Sequence, residues 1–224
     1  TVGGGVYKLV ERRAAEMPDK VGAELKITKV LVKNLQKKRE GIPSEVLTDD
    51  WEGIIHDPEI SIVIELMGGV EPARTYILQA LEAGKNVVTA NKDLLAEHGQ
   101  ELMEAAERNH CDLCFEAAVG GGIPIIRPLK ECLAGNEITE VMGIVNGTTN
   151  YILTKMTEDG ADYAEVLKDA QAKGFAEADP TADVEGIDVA NKLSILIALL
   201  FDQYIPPQDI PTTGISQITG AEIA

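Results

Sequence analysis

The stretch VVTANKD, Val87 to Asp93, joins two patterns whose junction sets the fold. Val87, Val88 and Thr89 are β-branched and close a short apolar run, which reads as the end of a buried strand. Beyond it Leu94, Leu95, Leu102, Met103 and Ala106 recur at helical spacing as far as Arg108. A strand that runs at once into a helix belongs to a parallel sheet with crossover helices. Lys92 stands at the junction. A cation in a first turn opposes the positive helix end, where an acid or a capping hydroxyl would be favoured. We therefore expect Lys92 to be there for chemistry rather than for helix stability.

The same alternation extends on both sides. Ile27 to Val32, Ile60 to Leu66, Asn86 to Ala90 and Asp112 to Ala117 read as strands, with helices over Pro72 to Ala83 and Leu94 to Arg108. Short apolar strands separated by helices imply a parallel sheet covered on both faces, so residues 1–118 read as a doubly wound, Rossmann-like nucleotide-binding domain. Ligands of such sheets bind beyond the carboxyl ends of the strands. Past Gly120-Gly121-Gly122 the character changes. A helix at Pro124 to Leu133 and an alternating strand at Glu137 to Val145 precede helices at Tyr151 to Glu158, Tyr163 to Lys173 and Gly186 to Phe201. Residues 119–224 are expected to form a second, α+β domain for substrate, with Ile205 to Ala224 a Pro- and Thr-rich stretch that closes nothing.

Composition removes several classes of function. With 224 residues, of which 45% are hydrophobic, the chain can bury a real core. Its 20 basic and 37 acidic residues give a net charge of −17, a surface that repels phosphate backbones and anionic membranes. The longest apolar run, Leu193 to Phe201, falls short of a membrane span. Three cysteines without paired spacing fit a reducing cytosol, and Cys111-Asp-Leu-Cys114 sits in a strand pattern that reads as ordinary buried cysteines rather than a redox or metal site. A soluble cytoplasmic protein acting on a small molecule is the expectation.

The chain opens on Thr1-Val2-Gly3-Gly4-Gly5-Val6 with no strand before it, as if it began inside a motif. A dinucleotide fingerprint needs glycines after a strand, because the backbone must approach a pyrophosphate at a helix N-terminus. Gly3 fits its third glycine, although a flexible linker would look the same. Where the second strand ends, an acid usually holds the ribose hydroxyls and a basic residue accommodates a 2′-phosphate. Here stand Lys33, Lys37, Lys38 and Arg39, the densest basic cluster of an acidic chain.

Oxidising an alcohol by hydride transfer needs a base for the hydroxyl proton, and an amine serves if burial or a neighbouring cation lowers its pKa. Lys92 is one candidate. Lys192 is another, four residues after Asp188 and so on the same helical face. The preceding loop, Gly174 to Gly186, carries Glu177, Asp179, Asp183 and Glu185, enough carboxylates to seat an ammonium. It could equally bind a metal, but the EF-hand spacing is not met.

Taken together these stretches resemble homoserine dehydrogenase: Thr1 to Val6, Glu65-Leu-Met-Gly68-Gly69-Val-Glu-Pro-Ala73, Gly84 to Lys92, Phe115 to Pro124, Asn146-Gly147-Thr148-Thr-Asn150 and Lys173 to Lys192. The resemblance implies a reversible NADP- or NAD-dependent interconversion of L-homoserine and L-aspartate 4-semialdehyde, a step toward threonine and methionine, by a homodimer or higher oligomer. It implies that Lys92 and Lys192 flank the reacting oxygen and that Glu177, Asp188 and Thr148 contact the substrate. Thr1, Val2, Gly3, Lys33, Arg39, Gly68, Lys92 and Gly174 would contact the cofactor. Glu116, Val119, Gly121 and Ile123 would offer oxygens, mainly backbone carbonyls, to a sodium ion.

The family's first strand and first two fingerprint glycines do not precede Thr1, and a later Gly-Pro-Gly segment and a regulatory domain do not follow Ala224. The chain is therefore expected to be part of a longer protein. Two other readings stand beside this one: a dehydrogenase for another small amino-acid-like alcohol, and a non-catalytic nucleotide-binding relative.

Overall fold

The computed structural model describes residues 2–223. Helix α1 (Val2–Arg13) and the short α2 (Met17–Val21) lead into β1 (Val30–Leu31), β2 (Leu47–Thr48), α3 (Glu52–Ile55) and β3 (Ile62–Glu65). Then follow α4 (Ala73–Glu82), β4 (Asn86–Thr89), α5 (Lys92–Arg108) and β5 (Leu113–Cys114). The rest is helical: α6 (Gly147–Asp159), α7 (Tyr163–Ala172), α8 (Thr181–Val184), α9 (Ile187–Phe201) and α10 (Gly220–Ile223).

Every strand pairing is parallel. β1 pairs with β2, and β3, β4 and β5 form a second sheet in that order, with Glu65 opposite Thr89 and Val87 opposite Leu113. Alternation then sorts the side chains. Val87 is buried and Val63 packs against the same core, which α4 fills with Ile77 and Leu81 and α5 with Leu94 and Leu102. On the other face Ile62, Ile64 and Val88 are exposed, so among the described residues this sheet is covered on one side, not both as expected. The α/β class and the strand order along the chain agree with the sequence reading.

Helix ends follow local chemistry. Asn91 caps α5 by accepting from Leu94 N at 3.2 Å, and Asn146 caps α6 by accepting from Thr149 N at 2.8 Å. Gly186 precedes α9 at φ 81°, where a Cβ would stand 2.6 Å from Thr212 Cγ2, so only glycine fits. Most of α9 is apolar because α5 and α8 pack on it, and its Ile195 and Leu196 join the core filled by α4 and α5. A second cluster joins Ile152 and Met156 of α6 to Val166 and Ala170 of α7.

Several expectations change. Residues 137–145 form no strand among the described residues; Met142 and Ile144 stand exposed, and alternation cannot make a strand without a partner ladder. The helix expected over Pro124 to Leu133 contains a π turn at Pro128–Cys132, which the ring of Pro128 starts without an N–H. Gly3 to Gly5 are not a linker but part of the first turns of α1. Cys114 is exposed rather than buried, because its side of β5 faces away from the core. The stretch after Ile205 is not idle: Ile215 N donates to Val184 O, and Ser194 donates to Ile205 O.

Candidate active site

The carboxyl ends of β3 and β4 are tied together below the surface. Glu65 is 4% exposed; its Oε2 accepts from Thr89 Oγ1 at 2.6 Å, and its Oε1 accepts from the amides of Met67 at 2.6 Å and Gly68 at 3.3 Å. Thr89 Oγ1 accepts in turn from Asn91 N, and Asn91 Nδ2 donates to Gly69 O at 2.7 Å. A buried carboxylate is tolerated only with such a set of donors. The consequence is geometric. One network shapes both the Gly68-Gly69 turn, at φ 76° and 73°, and the residue that caps α5 in front of Lys92.

Lys92 leaves that first turn toward α9. Its Nζ lies 3.3 Å from Asp188 Oδ1, while Lys192 Nζ donates to Asp188 Oδ2 at 2.6 Å and to Val145 O at 2.6 Å. Asn146 Nδ2 donates to the same Oδ2 at 2.9 Å and to Asp183 Oδ1 at 2.7 Å. The Asp188 side chain is 7% exposed and that of Lys192 15%, so this is no solvated surface ion pair. Burial alone would raise the Asp188 pKa. Hydrogen bonds from Lys192 and Asn146, and the charges of both lysines, outweigh it and hold the carboxyl below its ordinary value. Removing one member of such a set would leave a buried charge uncompensated.

The cluster borders a cleft of about 380 Å³ lined by Lys92, Gly174, Phe175, Glu177, Asp183 and Asp188 among others. Five carboxylates line it, those of Asp93, Glu177, Asp179, Asp183 and Asp188, against the one amine of Lys92. A cationic group is drawn to such a cleft. Glu177 is exposed on its wall, and Thr148 is buried beside it with its hydroxyl donating to Phe175 O at 2.8 Å.

The other sequence candidates lie outside this lining. Val2 and Gly3 open α1, where a Cβ on Gly3 would stand 4.0 Å from Leu66 Cδ1, next to the end of β3. Thr1 falls outside the described residues. Lys33 follows β1 and is exposed, whereas Arg39 turns back on its own loop, donating to Asn34 O at 3.1 Å and Lys37 O at 2.8 Å. Both Glu116 oxygens are engaged by amides: Oε1 accepts from Ile125 and Ile126 at 2.6 and 2.9 Å, and Oε2 from Arg127 at 2.8 Å. That carboxylate caps the turn beginning at Ile126. Sequence reasoning gave no role to Asn146, Glu65 or the Val145 carbonyl, and counted Asp183 only among the carboxylates of its loop. Only Asn146 carried a signal, as an Asn-Gly pair heading a helix.

Parallel strands in the order β3-β4-β5, a helix opened by glycines and polar groups gathered at the strand ends define a Rossmann-type dinucleotide-binding region. The comparisons agree and go further. The family profile for the homoserine dehydrogenase NAD binding domain matches residues 1–116, and that for homoserine dehydrogenase matches residues 124–224. The chain belongs to the homoserine dehydrogenase family. It is 52% identical to the homoserine dehydrogenase of Bacillus subtilis (strain 168), covering 100% of this chain and 52% of that protein. To the homoserine dehydrogenase of Synechocystis sp. it is 49% identical, over 100% of this chain and 52% of that one. The crystal structure of a homoserine dehydrogenase from Thiobacillus denitrificans superposes with a TM-score of 0.90 at 46% identity, over 99% of this chain and 51% of that one. A hyperthermophilic archaeal homoserine dehydrogenase in complex with NADPH aligns with a TM-score of 0.68 at 30% identity, over 76% of this chain and 53% of that one. The chain thus spans about half the length of the relatives it matches.

Proposed function

We propose that the complete protein is a homoserine dehydrogenase that interconverts L-homoserine and L-aspartate 4-semialdehyde with NADP or NAD. The observation that carries this reading is the Lys92–Asp188–Lys192 cluster, built on a buried carboxylate at the wall of an acidic cleft. The bound nicotinamide would accept the hydride from the alcohol carbon. Lys92, which lines the cleft, takes the hydroxyl proton during oxidation and returns it in the reverse direction. Lys192, held by Asp188 and Val145, presents its remaining N–H to the same oxygen. Glu177 receives the substrate ammonium, and Thr148 and Asp188 fix its orientation.

The cofactor side of this proposal assigns Val2, Gly3 and Gly68 to the pyrophosphate end, Gly174 to a backbone contact, and Lys33 and Arg39 to a 2′-phosphate. Thr1 is assigned there from the family pattern alone. Sodium would use the carbonyls of Glu116, Val119, Gly121 and Ile123. Their fit rests on chemistry: the last three accept no hydrogen bond among the described residues, and hard oxygen donors suit such an ion. The Glu116 side chain, with three amides already bound, is not needed for it. We place the division between the two regions at 118–119. The complete protein would act as a homodimer or higher oligomer in the cytoplasm; no helix among the described residues is long and apolar enough to cross a membrane.

The test is turnover. Purified complete protein should reduce NADP or NAD with L-homoserine and not with serine or threonine; a preference for another small amino-alcohol would replace the substrate. No turnover with any of them would leave a nucleotide-binding relative.

A further inference from the structure

Asn146 lies at the centre of the cluster, 5% exposed, with every polar atom of its side chain engaged. Oδ1 accepts from Thr149 N at 2.8 Å and from Thr149 Oγ1 at 2.9 Å. The two N–H groups of Nδ2 go to different acids, Asp183 Oδ1 at 2.7 Å and Asp188 Oδ2 at 2.9 Å. These partners determine the amide's orientation, since a flipped amide would set its oxygen against two carboxylates. Capping explains only half of this. Serine or aspartate caps a helix as well as asparagine, because the cap needs an acceptor alone. The donor half is surplus to the helix.

What that half does follows from the oxygens it occupies. Asp188 Oδ2 already receives Lys192 Nζ, so the second donor saturates it, and Oδ1 is the atom left toward Lys92. The preceding residue holds the partner amine, since Lys192 also donates to Val145 O. Residues 145 and 146 thus grip both members of the acid–amine pair from one side. Without a donor between them, Asp183 and Asp188 would face each other as like charges, offset only by the lysines on Asp188.

We propose that Asn146 is a positioning residue of this site: by donating to Asp183 and Asp188 at once, it sets the spacing of the two carboxylates and turns Asp188 Oδ1 toward Lys92. Its effect on turnover rests on the dehydrogenase reading above; its effect on the carboxylates does not.

Two variants of the complete protein separate the halves of the amide. Asn146→Ser keeps a cap and removes the bridging donor. Asn146→Asp keeps the shape and the cap but sets a third carboxylate against the other two. For Asn146→Ser, kcat with homoserine should fall by roughly tenfold or more, with cofactor KM near that of the unmodified protein and the variant, though less stable, still folded at the assay temperature. For Asn146→Asp the loss should be larger, and the acid limb of the pH–rate profile should move to higher pH, because an added negative charge favours protonation of Asp188. A substrate-free readout runs in parallel: the Asp188 carboxyl, assigned in a ¹³C NMR titration with Asp188→Asn, should titrate at higher pH in Asn146→Ser. If the unmodified protein does not oxidise homoserine yet the Asp188 titration moves, the dehydrogenase reading fails and the positioning role stands. An unmoved Asp188 titration, or rate losses matched by the fraction of unfolded protein, would overturn the proposal.

Discussion

Lys92 and Asp188 face each other from the first turns of two different helices, α5 and α9, with 3.3 Å between Nζ and Oδ1. The acid is favoured by its own helix end and the lysine is disfavoured by its own, each by about 0.3–1 kcal/mol at exposed sites. Their pairing offsets the unfavourable placement of Lys92. A lysine placed against its helix dipole, and supplied with a counter-ion from 96 positions further along the chain, is the residue whose removal should be most informative.

Lys92→Ala and Lys192→Ala should each lower kcat in the complete protein by roughly 10²–10⁴-fold, the usual worth of a positioned proton-transfer group, with smaller changes in cofactor KM. Steady-state kinetics with homoserine decides this. Near-normal kcat in either variant removes that lysine from the proposed mechanism.

Glu177→Gln keeps the size of the side chain and removes its charge. A charge-assisted hydrogen bond is worth about 1.5–3 kcal/mol when buried, but Glu177 is exposed, so the lower end applies. KM for homoserine should rise roughly tenfold, with kcat and cofactor affinity little changed. Asp188→Asn should act instead on kcat and on the pH profile, since its charge faces both lysines. Unchanged constants in both variants would reduce the acidic cleft to a solvated surface.

At the end of β1, Lys33 is exposed while Arg39 is committed to its own loop. Lys33→Ala should raise KM for NADPH and leave NADH nearly unaffected, whereas Arg39→Ala should loosen the loop and produce a milder version of the same split. Equal losses with both cofactors would sink the 2′-phosphate assignment.

Glu116 links stability to pH. Burial pushes its carboxyl pKa up, but the amides of Arg127, Ile125 and Ile126 outweigh this and hold it below the ordinary value. A carboxyl with a depressed folded-state pKa contributes stability that is full above the unfolded-state value. That contribution is lost as pH falls through the folded-state value. Urea unfolding should therefore show Glu116→Gln clearly destabilised near about pH 7 and closer to the unmodified protein near about pH 3. An equal destabilisation at both would show that the charge is not what the three amides require.

The sequence alone carried the alternation of strands and helices up to Cys114, because period-2 and period-3.6 burial patterns are local properties of the chain. It also singled out Lys92, as a cation at a helix start, and placed Asp188 and Lys192 on one helical face by their spacing; Glu177 stood out from the other carboxylates of its loop only through the family resemblance. Local patterns could not show that α9 completes the core of α4 and α5, or that Val145 and Asn146 reach the Asp188–Lys192 pair from more than 40 positions away. The failure at residues 137–145 has the same origin: alternation states which side chains would share a face, but only a neighbouring ladder makes a strand. Burial of Asp188 and Lys192 likewise belongs to tertiary structure. Adjacent turns of one helix bring the two groups within reach, but the packing of α5 and α8 against α9, with residues 145 and 146 over the pair, is what keeps water from them.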